Sequence, residues 1–346
     1  MTTNTKRVKE INRSKKRIMT VVLVASIMLG TLSACGNGGD NKMKDGQSMT
    51  GETTVTPASE HAAMQPEELA DFMLSGKHET IYKQFSTEFQ AQVSQADFAA
   101  MSVSFITGVD AFRSSSSLLH NEMDIRVWLS SEGDKGILAA FGDDGEIIGL
   151  QIQDLVTYPD TDDNMTQTAF DFPFQGEWLV FWGGTNVFQN YHYELASQRY
   201  AYDLIQAKDG KSYAGDPSLN ESYFAFGQEA LAPADGTVVS VINDIVDNEP
   251  VGVANEKVPA GNLVVIDHGG EFSYLAHLKK GSVTVQPGDK VERGEVIGQI
   301  GNSGNSSEPH LHFQVSGGSN LFESEAITVQ WKDGSQPIQG EFINAD

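Results

Sequence analysis

Asn262-Leu263-Val264-Val265-Ile266-Asp267-His268-Gly269, followed two residues later by Phe272-Ser273-Tyr274-Leu275-Ala276-His277-Leu278, decides the fold of the C-terminal half. Each run is short, rich in β-branched and aromatic residues, and separated from the next by a glycine turn, which predicts strands rather than helices. Outward from it the texture repeats. Upstream lies Ala232-Pro233-Ala234-Asp235-Gly236-Thr237-Val238-Val239-Ser240-Val241, and downstream Val285 to Val291 and Gly294 to Gly298 place two short strands around tight turns. Glu177-Trp178-Leu179-Val180-Phe181-Trp182, between Gly176 and Gly183, reads as the first strand of this unit, and residues 322–331 as one more. Short, evenly spaced strands predict an all-β sandwich or barrel over residues 177–346, ending in a tail without legible chemistry.

Residues 64–153 differ. Apolar residues at helical spacing (Leu69, Phe72, Met73; Ile81, Phe85, Phe89, Val93; Phe98, Met101, Phe105) are followed by strand-like runs at 125–129, 136–141 and 147–152. Helices first and an antiparallel meander second predict an α+β unit. It resembles small cystatin-like domains that precede bacterial extracytoplasmic enzymes, which implies a binding or positioning module. Its His78 and His120 show no clustered carboxylate–histidine pair. Residues 154–176, polar and acidic before turning aromatic, are expected to link the two units.

Five of the eight histidines lie beyond residue 191. In Pro309-His310-Leu311-His312-Phe313 the period-two alternation of a strand points both imidazoles to one face, a pattern suited to one metal ligand and one acid–base group. Ala232-Pro233-Ala234-Asp235-Gly236-Thr237-Val238, Val265-Ile266-Asp267-His268-Gly269, Leu275-Ala276-His277-Leu278 and Gly301-Asn302-Ser303-Gly304 leading into that strand resemble, in this order, the lysostaphin-type (LytM-like) zinc peptidases that cut peptidoglycan peptides. The likeness covers residues 187–316. It implies a duplicated-hybrid-motif, barrel-sandwich-like fold, one Zn2+ per chain, His312 as a ligand, and His277 and His310 as the acid–base pair. The early part departs from the pattern. Where the family has His-x-x-x-Asp, this chain has Arg199-Tyr200-Ala201-Tyr202-Asp203, and arginine cannot bind zinc. His192, in Asn190-Tyr191-His192-Tyr193, is the nearest replacement, so the expected ligand set is His192, Asp203 and His312. His268 is read as structural. The stretch 243–261 is expected to wall the substrate groove, and Ser303, Asn305, Ser306 and Ser307 to form a polar loop.

The chain has 346 residues and a formal charge of −24, which disfavours nucleic acid as a partner. One cysteine, Cys35, excludes an intrachain disulfide and any Cys-rich zinc site. Seven basic residues between Lys6 and Arg17 precede an apolar run at 18–32, the anatomy of a secretory signal. Its end, Leu32-Ser33-Ala34-Cys35, resembles the bacterial lipobox, implying a signal over 1–34, a lipid on Cys35, and a position on the outer face of the cell membrane. Without residues 1–34 the chain keeps 16 basic against 46 acidic residues, a formal −30. Residues 35–63 are polar, glycine-rich and short of large apolar side chains, the composition of a tether.

These readings make a membrane-anchored zinc endopeptidase acting on peptidoglycan peptides the leading function, with wall enzymes as candidate partners of the 64–153 unit. Two others stay open. Arg199 keeps a zinc-free regulator of wall enzymes in play, and Pro287-Gly288 with Gly294-Glu295-Val296-Ile297-Gly298 resembles biotinyl and lipoyl carriers, which would modify Lys290.

Overall fold

The computed structural model describes residues 64–345. The leader at 1–34, Cys35 and the tether at 35–63 lie outside the described residues.

Four short helices come first: α1 (Leu69–Leu74), α2 (His78–Lys83), α3 (Thr87–Gln90) and α4 (Gln95–Ile106). Ser86 and Ser94 cap α3 and α4 by accepting the amides of Phe89 and Asp97. An antiparallel meander follows, β1 (Phe112–His120), β2 (Met123–Ser130), β3 (Lys135–Phe141) and β4 (Ile147–Asp154), paired in sequence order. Strand alternation gives this sheet two apolar faces. Trp128, Ile137, Ala139 and Phe141 pack under the helices with Leu69, Met73, Ile81, Phe85 and Phe98. Val127, Leu138 and Ala140 face the other way, onto Leu179, Phe181, Phe188 and Ile205 of the second body. Covering both faces explains why β3 is buried from Gly136 to Phe141.

After α5 (Pro159–Asp162), the second body contains β5 (Met165–Phe170), β6 (Gly176–Trp182), β7 (Tyr202–Ile205), β8 (Glu229–Leu231), β9 (Gly236–Ile242), β10 (Asn262–Asp267), β11 (Phe272–Leu278), β12 (Lys290–Val291), β13 (Val296–Gln299), β14 (Leu311–Ser316), β15 (Ala326–Trp331) and β16 (Phe342–Ala345). The main sheet runs β12-β9-β10-β11-β14-β7-β6-β16, with β15 on β14 and β5 parallel to β15, while β13 and β8 form a separate pair. Apart from β5–β15 every pairing between these strands is antiparallel. The core between the sheets holds Trp178, Val264, Ile266, Leu275, Phe313, Val315 and Trp331.

The structure departs from the sequence reading at 154–176. This interval, expected as a linker, contains α5 and β5, and β5 precedes the strand expected to come first. Thr166 and Phe170 are buried there among polar neighbours, so the mean polarity of the segment masked an edge strand. The tail likewise carries β16, paired with β6.

Candidate active site

β14 lies between β7 and β11, and its register builds the site. His312 stands opposite Asp203 on one side and Ala276 on the other. His310 shares its face with His312 by alternation. His277 follows Ala276, and strict alternation would turn its side chain away from His312. A bulge between β10 and β11 and a backbone φ of 62° at His277 bring it back. Its ring centroid is 4.7 Å from that of His310 and 5.8 Å from that of His312. His192 comes from the connection between β6 and β7, on a single 3-10 turn, Tyr191–Glu194.

His192, Asp203 and His312 are all buried and offer ligand atoms that lie within 4.8 Å of one another. Hydrogen bonds set which nitrogen each ring presents. Asn190 anchors its amide nitrogen on the carbonyls of Gly184, Arg199 and Ala201, so its Oδ1 faces His192 and accepts from Nδ1 at 2.9 Å. His192 therefore presents Nε2, 3.7 Å from Asp203 Oδ2. For His312 the order is reversed. Gln314 donates to Ser197 O and Ser316 Oγ, both at 2.8 Å, which leaves its Oε1 to accept from His312 Nε2 at 3.1 Å. His312 Nδ1 then faces Asp203 Oδ1 at 2.9 Å. A ring nitrogen and a carboxylate oxygen this close need a cation between them, either a proton on Nδ1 or a metal ion bound by both. Two imidazoles and a carboxylate fit a divalent ion such as zinc.

The electrostatics agree with that donor set. Burial pushes His192 down to about 3, against the pull of Asp203, so the ring is neutral. Burial opposes ionisation of Asp203, but His192, His310 and His312 outweigh it and hold the carboxyl well below the usual range. His312 is raised: burial works against this, and the hydrogen bond and charge of Asp203 prevail. His277 is held well below its ordinary value by burial and by the neighbouring His310 and His312. Its Nδ1 donates to Ser303 O at 2.7 Å, and His310 Nδ1 donates to Glu308 O at 2.8 Å. Both rings thus keep Nε2 free as a proton acceptor on the site side, with His310 Nε2 3.6 Å from Asp203 Oδ1.

The five residues singled out from sequence, His192, Asp203, His277, His310 and His312, are brought together here. Arg199 points elsewhere: its guanidinium stacks 3.4 Å above the Tyr158 ring and Nε donates to Tyr193 O. His268 bonds Asp235 O and Ser273 Oγ against Phe170. A cleft of about 170 Å³ opens over the site between Tyr191, Pro259, Ala260, Asn305, Leu321 and Phe322, so only the end of the 243–261 stretch reaches it. Ser303 and Ser306 are buried braces of the His277 and His310 rings rather than a plain polar loop. Gln314, Asn190 and Glu308 went unread. Gln314 was findable, because it continues the alternation of His310 and His312 on one face.

Residues 223–323 match Peptidase family M23, a stretch that includes His277, His310 and His312 and begins after His192 and Asp203. The peptidoglycan DD-endopeptidase ShyA of Vibrio cholerae is 48% identical over 58 residues, 16% of this chain and 13% of that protein. An uncharacterized metalloprotease of Haemophilus influenzae is 37% identical over 89 residues, 25% of this chain and 16% of that one. The chain spans 13 to 22% of the lengths of the curated relatives it matches. Among solved structures, the catalytic domain of lysostaphin from Staphylococcus simulans aligns at 21% identity over 33% of this chain and 84% of that one, with a TM-score of 0.22. A zinc containing peptidase from Vibrio cholerae aligns at 15% identity over 56% and 52%, with a TM-score of 0.23. Residues 223–323 of this chain are a domain of peptidase family M23.

Proposed function

We propose that this protein is a zinc endopeptidase that hydrolyses peptide bonds of peptidoglycan, with His192, Asp203 and His312 as ligands and His277 and His310 as the acid–base pair. The observation that carries the reading is the buried His192–Asp203–His312 group, whose ligand atoms lie within 4.8 Å, beside two further rings with free Nε2 atoms. The name of the Vibrio cholerae relative supports peptidoglycan as the substrate.

A bound zinc ion would supply Lewis acidity toward the scissile carbonyl and make water a nucleophile near neutral pH. The chain supplies the rest. Asn190 and Gln314 fix the His192 and His312 tautomers that expose ligand lone pairs. His277, held neutral by burial, is suited to take the water proton at Nε2, and a ring protonated there can return a proton to the leaving amine. His310, with Nδ1 committed to Glu308 O, presents the second Nε2. Tyr191 rests on the His192 ring at 3.9 Å between centroids and shields that ligand from solvent.

The lipobox-like Leu32-Ser33-Ala34-Cys35 supports lipid anchoring at Cys35 on the outer face of the cell membrane, with the acidic chain held off the lipid by the tether. Among the described residues no helix is long and apolar enough to cross a membrane. The cystatin-like likeness of the α+β unit supports a role in positioning, with wall enzymes as candidate partners. The test is metal content and turnover together. The purified chain, reloaded with zinc at neutral pH, should hold one ion and release peptides from purified cell walls, detected by mass spectrometry. A chain that takes up no zinc would be the non-catalytic regulator instead.

A further inference from the structure

His120, at the end of β1, is fully buried against the second body. Its Nε2 accepts from Asn121 Nδ2 at 2.9 Å and lies 3.6 Å from Glu308 Oε1, beyond hydrogen-bond reach, and its ring meets Phe181 edge-on at 4.8 Å. Glu308 is itself buried, and no hydrogen bond reaches its Oε1. A carboxylate in such a place depends on its neighbours to offset the lost hydration. Here those neighbours trace back to the α+β unit. Ser212 Oγ donates to Glu308 Oε2 at 3.2 Å, and Asn121 holds Ser212 from both sides, Oδ1 accepting the Ser212 amide and Nδ2 donating to its hydroxyl, each at 3.1 Å.

The β1–β2 turn is shaped for this contact. Asn121 and Glu122 have φ values of 47° and 73°, a conformation unfavourable for the glutamate in particular. The turn clamps the 208–212 loop at two further points, the Asn121 amide donating to Gly210 O at 2.7 Å and Lys211 pairing with Glu122 at 2.9 Å, and Leu119 of β1 lies so close that a Cβ on Gly210 would be 2.7 Å from its side chain. At the other end of the chain of contacts, the main-chain oxygen of Glu308 accepts from Ser306 Oγ at 2.9 Å and from His310 Nδ1 at 2.8 Å. The acceptor that sets the His310 tautomer therefore belongs to a residue whose side chain is held by Ser212, which Asn121 of the neighbouring unit grips in turn.

We infer that Asn121, acting through Ser212 and Glu308, is a positioning residue for His310, so that the α+β unit is part of the hydrolytic site's framework. This rests on the hydrolase reading above. Zinc binding is not its route, since His192, Asp203 and His312 are seated by Asn190, Gln314 and the strand register.

The test uses the full chain carrying Asn121→Ala, Glu308→Ala, both together, or Glu308→Gln. Zinc content should stay at the parent value in all four. Glu308→Ala should lower kcat on cell-wall peptide about tenfold with KM within about twofold, because a shifted general acid–base group costs rate rather than binding. The double variant should be no slower than Glu308→Ala alone, as members of one contact chain are not additive. Glu308→Gln, whose amide oxygen can still accept from Ser212, should recover most of the loss. A second readout needs no turnover. Nitrogen-15 spectra of the zinc-free chain should show the Nδ1–H tautomer of His310 in the parent and a mixture of tautomers in Asn121→Ala and Glu308→Ala. Additive losses, or an unchanged His310 tautomer in both alanine variants, would overturn the inference. A parent that binds zinc but cleaves nothing refutes the hydrolase reading, and the tautomer spectra then decide the positioning role separately. If Glu308→Ala does not fold, Asn121→Ala gives the same comparison.

Discussion

Gln314→Leu tests how His312, the proposed ligand, is prepared. Gln314 has no accessible surface, and its amide is used three times, accepting from His312 Nε2 and donating to Ser197 O and Ser316 Oγ. Leucine fills a similar volume but offers no acceptor, so the His312 Nε2–H is left buried and unpaired. The ring can relieve this by moving its proton to Nδ1, which removes the lone pair directed at Asp203. Loss of such a partner typically weakens metal binding about 10- to 100-fold, or about 1.4 to 2.7 kcal/mol. An independent estimate starts from the groups left unsatisfied when the ring keeps its tautomer, the imidazole N–H and the Ser197 carbonyl. At about 1 to 3 kcal/mol for each such group, the metal-free fold should lose about 2 kcal/mol or more, partly offset by the apolar leucine. The assay is a zinc titration at pH 7 against a competing chromophoric chelator, with urea unfolding of the metal-free chain alongside. A folded Gln314→Leu protein that binds zinc within about twofold of the parent would refute the tautomer argument, because the predicted loss is at least about tenfold.

Five other substitutions test the roles proposed here and the acid sensitivity of the fold. His310→Ala should keep zinc and lose turnover, whereas His312→Ala should lose both; equal zinc loss in the two, read by metal analysis, would contradict the assignment. His192→Ala should abolish zinc binding, while Arg199→Ala should retain it and cost about 1 kcal/mol of stability in urea unfolding, the scale of its stacking on Tyr158. Zinc lost with Arg199 would mean that the site depends on it. His268 is held below its ordinary value by burial, so the unfolded chain takes up its proton first as the pH drops below about 6.5. Its contribution is intact above that pH and lost progressively below it, and His268→Gln should flatten the fall in stability between pH 7 and 5; an unchanged slope would show that His268 is not a source of acid sensitivity.

What could be read from the residues, and what could not, divides by distance along the chain. Strand alternation is local, so His310 and His312 could be assigned to one face from five consecutive residues, and the Gly-bounded runs at 262–278 gave their strands with little error. Neighbours in the sheet are another matter. Nothing within β7 says that Asp203 will face His312, more than a hundred residues later; that pairing was expected only through family resemblance, and it is β14 lying between β7 and β11 that produces it. His277 shows the limit in the other direction. Alternation taken literally points it away from the site, and only a bulge with a positive φ corrects this, a conformation that no residue type at 276–278 announces. Arg199 looked like a damaged ligand position because its partners, Tyr158 and the Tyr193 carbonyl, lie in segments read as a linker and as a flank of His192.

The contact between His120 and Glu308 is the least legible of all, and the reason bears on function. Each residue alone is unremarkable: a histidine ending an α+β strand and a glutamate in a serine-rich loop. They acquire meaning only when two units, each with its own apolar core, share a third apolar cluster. That shared cluster, which joins Leu118 and Val127 to Leu179 and Phe181, fixes the β1–β2 turn against the 208–212 loop. A unit attached by a loose tether could not hold the Asn121 amide within 3.1 Å of the Ser212 hydroxyl that bonds the buried carboxylate. The packing between the units is therefore the physical condition for any influence of the first on the second. Weakening it, away from every polar group named here, should disturb His310 before it disturbs zinc.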